Sequence, residues 1–131
     1  MQAVSQTLER IYALPHELRG RIDLGHRVSL LALVEETGYS KARDAIDVSL
    51  INSGLRERRA ILDAWLRYSS EKKETWGWFF EVDSRGKYAV GLKTGFSERT
   101  RCEIPDPWDA CASFIKEELE AILGARHSHL R

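Results

Sequence analysis

The stretch Trp76-Gly77-Trp78-Phe79-Phe80-Glu81-Val82-Asp83-Ser84-Arg85-Gly86-Lys87-Tyr88-Ala89-Val90-Gly91-Leu92 decides the fold. Trp76, Trp78, Phe80 and Val82 recur every second residue, as do Tyr88, Val90 and Leu92, and that period places each set on one face of a strand. Loop length then fixes how the two sets meet. A two-residue loop at Arg85-Gly86 would pair Val82 with Ala89 and send the sets to opposite faces. A three-residue loop, Ser84-Arg85-Gly86, pairs Val82 with Tyr88, Phe80 with Val90 and Trp78 with Leu92. The second choice unites the apolar set and puts Gly86 where such a loop needs a left-handed residue. It also sets Phe79 across from Gly91, where the ring can cover bare backbone.

Continuing the same construction, Lys93-Thr94-Gly95 reads as another three-residue turn pairing Leu92 with Phe96. A third strand would run to about Ile104, with Phe96, Thr100, Cys102 and Ile104 facing in and Ser97, Arg99, Arg101 and Glu103 facing out. Glu98 shares the inner face and must lie near an edge or find a partner. Pro105-Asp106-Pro107 then starts a helix, with Asp106 as cap, Pro107 at the first helical position and Asp109 near the positive end. Its stripe of Trp108, Cys111, Ala112, Ile115, Leu119, Ile122 and Leu123 should lie on the aromatic face of the sheet until Gly124. The tail 125–131 has no pattern and is expected to fray.

Before the hairpin the apolar period is that of helices. Val4, Leu8, Ile11 and Tyr12 define a first short helix over 4–13, closed by Leu14-Pro15, with Arg19-Gly20-Arg21 read as linker. Asp23 can cap a second, with Leu24, Val28, Leu31 and Val34 on one side and Gly38 at its end. Ser40 can cap a third that carries Ala42, Ala45, Ile46 and Leu50 and stops near Asn52-Ser53-Gly54. A fourth, from about Leu55 to Ser69, buries Leu55, Leu62, Trp65, Leu66 and Ser69. Ser70 to Glu74 is a polar connector, after which the period changes.

The expected fold class is therefore α+β: an N-terminal helical part, a three-stranded antiparallel β-meander and a C-terminal helix packed on the sheet. A chain of 131 residues suits one domain, 1–131, made of a helical region over 1–70, a meander plus helix over 75–124 and the tail 125–131. With 43% hydrophobic and 31% charged residues it is globular, and no apolar run approaches the ~20 residues a membrane span needs. The first ten residues lack the basic and apolar regions of a signal peptide, so the expected location is cytoplasmic. Two cysteines make no disulfide framework, and both Cys102 and Cys111 are expected to be buried thiols. Twenty basic residues balance twenty acidic ones, which leaves nucleic-acid binding only a local patch to work with.

Chemical signatures are weak throughout. Trp76, Trp78, Phe80 and Trp108 read as core, since burying such side chains is worth about 1.5 to 3 kcal/mol each. Cys102, Cys111, His127 and His129 could form a tetrahedral zinc set, but they lack the paired spacing of structural sites. No nucleophile elbow or phosphate loop is present, and His16 and His26 read as surface residues. No enzyme, cofactor or metal is expected. A second class of reading is a small DNA-binding regulator, with helices near 24–37 and 41–52 as a helix-turn-helix and Lys41 and Arg43 at the start of the reading helix. Asp44 and Asp47 on that helix oppose it.

The outer face of the sheet offers more. In the chosen register it shows Phe79, Glu81, Asp83, Lys87, Lys93, Arg99 and Arg101 around the small Ala89 and Gly91, a flat patch with charged margins that suits a protein interface. These seven side chains are the expected partner-binding residues.

The order of features resembles small bacterial immunity proteins, the antidotes encoded beside polymorphic or contact-dependent inhibition toxins. The likeness is one of layout over roughly the C-terminal half. It runs through Trp65-Leu66-Arg67-Tyr68-Ser69-Ser70-Glu71-Lys72-Lys73, Gly77-Trp78-Phe79-Phe80, Gly86-Lys87-Tyr88-Ala89-Val90-Gly91 and Asp106-Pro107-Trp108-Asp109-Ala110-Cys111-Ala112-Ser113-Phe114-Ile115. It implies a non-enzymatic cytoplasmic protein that binds a cognate toxin domain and blocks it. Antidotes to nucleases are often acidic, and this chain is neutral. Either the toxin is no nuclease or the acidity is local, for example at Glu71, Glu74, Glu81 and Asp83. The oligomeric state is left open.

Overall fold

The computed structural model describes residues 2–72, 76–94 and 99–128, with side chains described for 4–72, 77–94 and 99–124. Six helices precede the sheet among these residues: α1 (Gln2–Tyr12), α2 (Leu14–Asp23), α3 (Leu30–Thr37), α4 (Tyr39–Ala42), α5 (Val48–Leu55) and α6 (Arg59–Glu71). Three antiparallel strands follow in the order β1 (Trp76–Val82), β2 (Tyr88–Thr94) and β3 (Arg99–Glu103), and α7 (Pro107–Ser128) returns over the sheet. The α+β class expected from the sequence is what the chain adopts.

The β1–β2 register is the one the apolar period requires. Trp78 pairs with Leu92, Phe79 with Gly91, Phe80 with Val90 and Val82 with Tyr88. Gly86 closes the three-residue loop with φ +78°, its N–H donating to the Asp83 carbonyl at 3.0 Å. Phe80 and Val90 are buried on the α7 side, and the Phe80 ring stacks on Phe114 of α7 at 5.8 Å. The C-terminal helix thus lies on the aromatic face as expected. Trp78 is only half-buried and Val82 is 43% exposed, so the face is covered at its centre, at Phe80 and Val90, and less so toward both ends. The Trp76 side chain lies outside those described.

The second turn differs. β2 continues to Thr94, and Lys93 pairs with Arg99 and Leu92 with Thr100, so the expected Leu92–Phe96 pairing does not form. Gly95, Phe96, Ser97 and Glu98 lie outside the described residues. The slip is four residues, an even number, and so leaves every inward and outward assignment on β3 intact. Yet all five residues of β3 are exposed, because α7 packs on β1 and β2 and stops short of the third strand. Cys102 is therefore an exposed thiol, a correction to the expectation that both cysteines are buried; Cys111, on α7, is fully buried.

One core joins the two parts. Ile11, Tyr39, Ile51, Leu62 and Trp65 from the helices pack in one cluster with Phe80, Val90, Phe114 and Leu119. Trp65 meets Tyr68 edge-on at 5.1 Å and Phe114 at 6.0 Å.

Helix boundaries in the N-terminal part are set by caps other than those the sequence suggested. Gly20 lies inside α2, so Arg19-Gly20-Arg21 is helix and not linker, and Asp23 ends that helix without capping the next. Ser29 caps α3, its Oγ accepting from the Ala32 N–H at 3.1 Å. Gly38 ends α3 as expected. The span 41–52 is no single helix: α4 gives way to a 3-10 turn at Arg43–Ala45 and an extended Ile46, and Asp47 starts α5 by accepting from the Leu50 N–H at 2.8 Å. Leu55 closes α5, and α6 begins at Arg59 and runs to Glu71. At the other end α7 continues through Gly124 to Ser128, so the expected tail is helical up to that point; residues 129–131 are not described.

The two edges of the sheet are treated differently. On β1 the Phe80 N–H donates to Ser69 Oγ at 2.8 Å and the Trp78 carbonyl accepts from Lys72 Nζ at 2.9 Å, both from the end of α6. Lys72 also reaches Glu118 Oε1 at 2.9 Å, and the buried Glu118 accepts from Tyr68 OH at 2.5 Å. That paired charge is satisfied, and it seals the edge.

Candidate protein-binding face

Pairing in β1, β2 and β3 builds the outer face as a grid. Its rows are Gly77–Lys93–Arg99, Phe79–Gly91–Arg101 and Glu81–Ala89–Glu103, with Asp83 and Lys87 at the hairpin end. All seven residues expected to bind a partner therefore stand on one surface.

Their roles are not equal. Phe79 is 4% exposed. Its ring lies on Gly91, and Lys93 Nζ and the Arg99 guanidinium stand 5.8 and 5.0 Å from its centroid. A partner would thus meet the two cations and not the ring, which corrects the picture of Phe79 as an exposed aromatic. Any Cβ at Gly91 would fall 1.9 Å from the Thr100 carbonyl oxygen and 2.5 Å from Phe79 Cζ, so the bare backbone is a condition of the stack.

Beside it runs a ladder of charges. Glu81 takes Arg101 at 2.9 Å and Arg99 at 3.5 Å. Arg101 reaches Asp83 at 3.6 Å and Glu103 at 3.9 Å, and Arg85 reaches Asp83 at 3.2 Å. The hydrogen bond to Glu81 raises the Arg101 pKa further, while backbone N–H groups of Lys87 and Arg85 and the Arg85 side chain hold the Asp83 carboxyl below its ordinary value. Exposed pairs of this kind add little stability, but together they fix the guanidinium positions. Glu103 and Arg85 are not among the residues the sequence singles out. Their contacts are local: Arg85 stands two residues from Asp83 in the hairpin loop, and Glu103 two residues from Arg101 on the same face of β3.

A second polar cluster lies where α4 meets α7. Lys116 Nζ donates to Tyr39 OH at 2.6 Å and to the carbonyls of Ile46 and Arg43 at 2.7 and 3.1 Å. Tyr39 OH donates to Glu120 at 2.5 Å, and Arg43 also bonds Glu120. Arg43 is thereby held by α7, and with 41–52 broken into pieces the helix expected to read DNA is not a continuous element. Lys41 is exposed.

Other candidates are dispersed. Cys102 lies on β3 and Cys111 inside the core, where burial pushes its thiol far up; the side chains of His127 and His129 lie outside those described. Among the described residues no group of three or more His, Cys, Asp or Glu side chains could hold a metal ion, and no helix is long and apolar enough to cross a membrane. An open groove of about 1280 Å³ runs between α2 and α6, with Leu18, Ile22 and Ala64 on its walls and the 2.6 Å Arg19–Glu71 pair at its rim. No known protein family, curated protein or solved structure matches the chain.

Proposed function

We propose that the protein is a non-enzymatic, protein-binding inhibitor of the immunity type, which neutralises a cognate toxin domain through the outer face of its sheet. The observation that carries this reading is the Phe79 stack. Lys93 and Arg99 are held over a buried ring, and Arg101 is held by Glu81, so the basic groups of a flat surface are ordered before any partner arrives. Preorganised arginines lower the ordering cost of association and are enriched where interfaces draw most of their energy.

Charge supports a partner surface of mixed sign. Glu71 pairs with Arg19 and Arg67, Glu81 with Arg99 and Arg101, and Asp83 with Arg85 and Arg101. These acids are neutralised locally, which makes a poor imitation of a phosphate backbone and favours a toxin that is no nuclease; Glu74 lies outside the described residues.

Co-expression of the tagged chain with the product of the adjacent gene tests the reading. A stable one-to-one complex in which the toxin's activity is abolished supports it. Salt-sensitive binding to duplex DNA, weakened by Lys41→Ala and Arg43→Ala, with no such complex, would overturn it in favour of a regulator.

A further inference from the structure

The free edge of β3 carries information that the outer face does not use. Ile104 donates its N–H to the Tyr88 carbonyl at 2.9 Å, so by alternation Thr100 and Cys102 turn their backbone groups toward β2, while Arg99, Arg101 and Glu103 turn theirs away from the sheet. Among the described residues no other strand or helix bonds those outward groups; the Glu103 carbonyl takes only a long 3.8 Å contact from the neighbouring Cys102 Sγ. The β1 edge is sealed by Ser69 and Lys72, so β3 is the edge left to accept another strand.

We infer that this edge pairs with the same edge of a second copy of the chain, joining two three-stranded sheets across a two-fold axis that passes beside Cys102. Charge selects both the occupant and the register. Antiparallel self-pairing must set outward-turned residues against one another, which leaves few choices. One sets Arg99 against Arg101, a second sets Arg101 against itself, and a third sets Glu103 against itself. A single register opposes only unlike charges, with Arg101 of each copy facing Glu103 of the other. In it the two Arg101–Glu103 pairs exchange their N–H and C=O groups across the seam.

The same register makes two further matches that were not used to choose it. Cys102 meets its own copy at a position without backbone hydrogen bonds, where side chains approach closest and the Cα separation suits a disulfide. Thr100 meets Ile104 on the α7 side of the sheet. There the helix cover ends before β3, leaving Thr100 and Cys102 exposed although they share a face with the buried Val90. A second copy would cover that strip.

Light scattering on the full chain under reducing conditions, followed by diamide oxidation and peptide mapping, tests the inference. We expect a concentration-dependent rise toward twice the 15.0 kDa chain mass and a Cys102–Cys102 cross-link that Cys102→Ser abolishes. Glu103→Lys, which sets like charges together, should lose both the dimer and the cross-link. The double change Arg101→Glu with Glu103→Lys should restore them. A monomer at every concentration would overturn the inference, and so would a dimer indifferent to Glu103→Lys. Neither result bears on toxin binding, which is read from a different assay.

Discussion

The Phe79 ring covers the backbone of Gly91, its Cζ 2.5 Å from where a Cβ at that position would stand. The strand pairing that makes them neighbours is the register the apolar period demanded, and the stack gives the outer face its shape. Phe79→Ala should destabilise the fold by about 3 kcal/mol, toward the low end for buried phenylalanines because Lys93 and Arg99 can settle into the space. Gly91→Ala should cost more, since the Thr100 carbonyl it would meet is backbone and cannot swing aside. Urea unfolding of both variants checks the order.

On the α7 side the two aromatic residues of β1 should differ. Phe80 is 2% exposed and stacked on Phe114, so Phe80→Ala should cost about 3 to 5 kcal/mol. Trp78, expected from the sequence to be core, is half-buried, and Trp78→Ala should cost about 1 to 3 kcal/mol. Equal losses in calorimetry would mean that the cover of α7 extends fully over Trp78.

The hairpin was legible because two constraints met in it: a period of two on both strands and a glycine at one loop position. The second turn had only the glycine, and the β2–β3 pairing takes a register four residues from the one it suggests. Its even offset kept Arg99 and Arg101 on the outer face, so those candidate residues survived a wrong register. Helix starts failed for a different reason. Asp23, Ser29, Ser40 and Asp47 are all competent caps, and which of them is used depends on how α3 and α5 pack. Nor could sequence show that β3 outruns the cover of α7, which exposes Cys102, or that the ring of Phe79 is buried beneath its own neighbours.

Gly20 offers a prediction in the opposite sense. It lies within α2, is exposed, and has nothing within 4 Å of a built Cβ. Gly20→Ala should stabilise the protein by about 0.5 to 1 kcal/mol, read as a raised melting temperature.

Alkali should weaken the fold. Burial raises the Tyr12 phenol from 10.0 to about 12 and pushes the Cys111 thiol and the Tyr39 phenol up as well, the last aided by its hydrogen bond to Glu120. In the unfolded chain these groups lose their protons from about pH 9 for the thiol and about pH 10 for the phenols. Across that range the native state binds more protons, so stability is whole below about pH 9 and falls as pH rises toward about 12. Urea midpoints measured between about pH 8 and about pH 11 should decline, and less steeply in Tyr12→Phe. That variant also loses the 2.9 Å bond to the Ile51 carbonyl, worth about 1 kcal/mol at every pH.

Calorimetric titration of the adjacent-gene toxin domain with the wild-type chain and with the double variant Lys93→Ala, Arg99→Ala tests the proposed interface most directly. We expect at least tenfold weaker binding, a loss of ~1.4 kcal/mol, from a variant that still melts cooperatively. Undiminished affinity in such a variant would contradict the assignment of the outer face as the surface that holds the toxin.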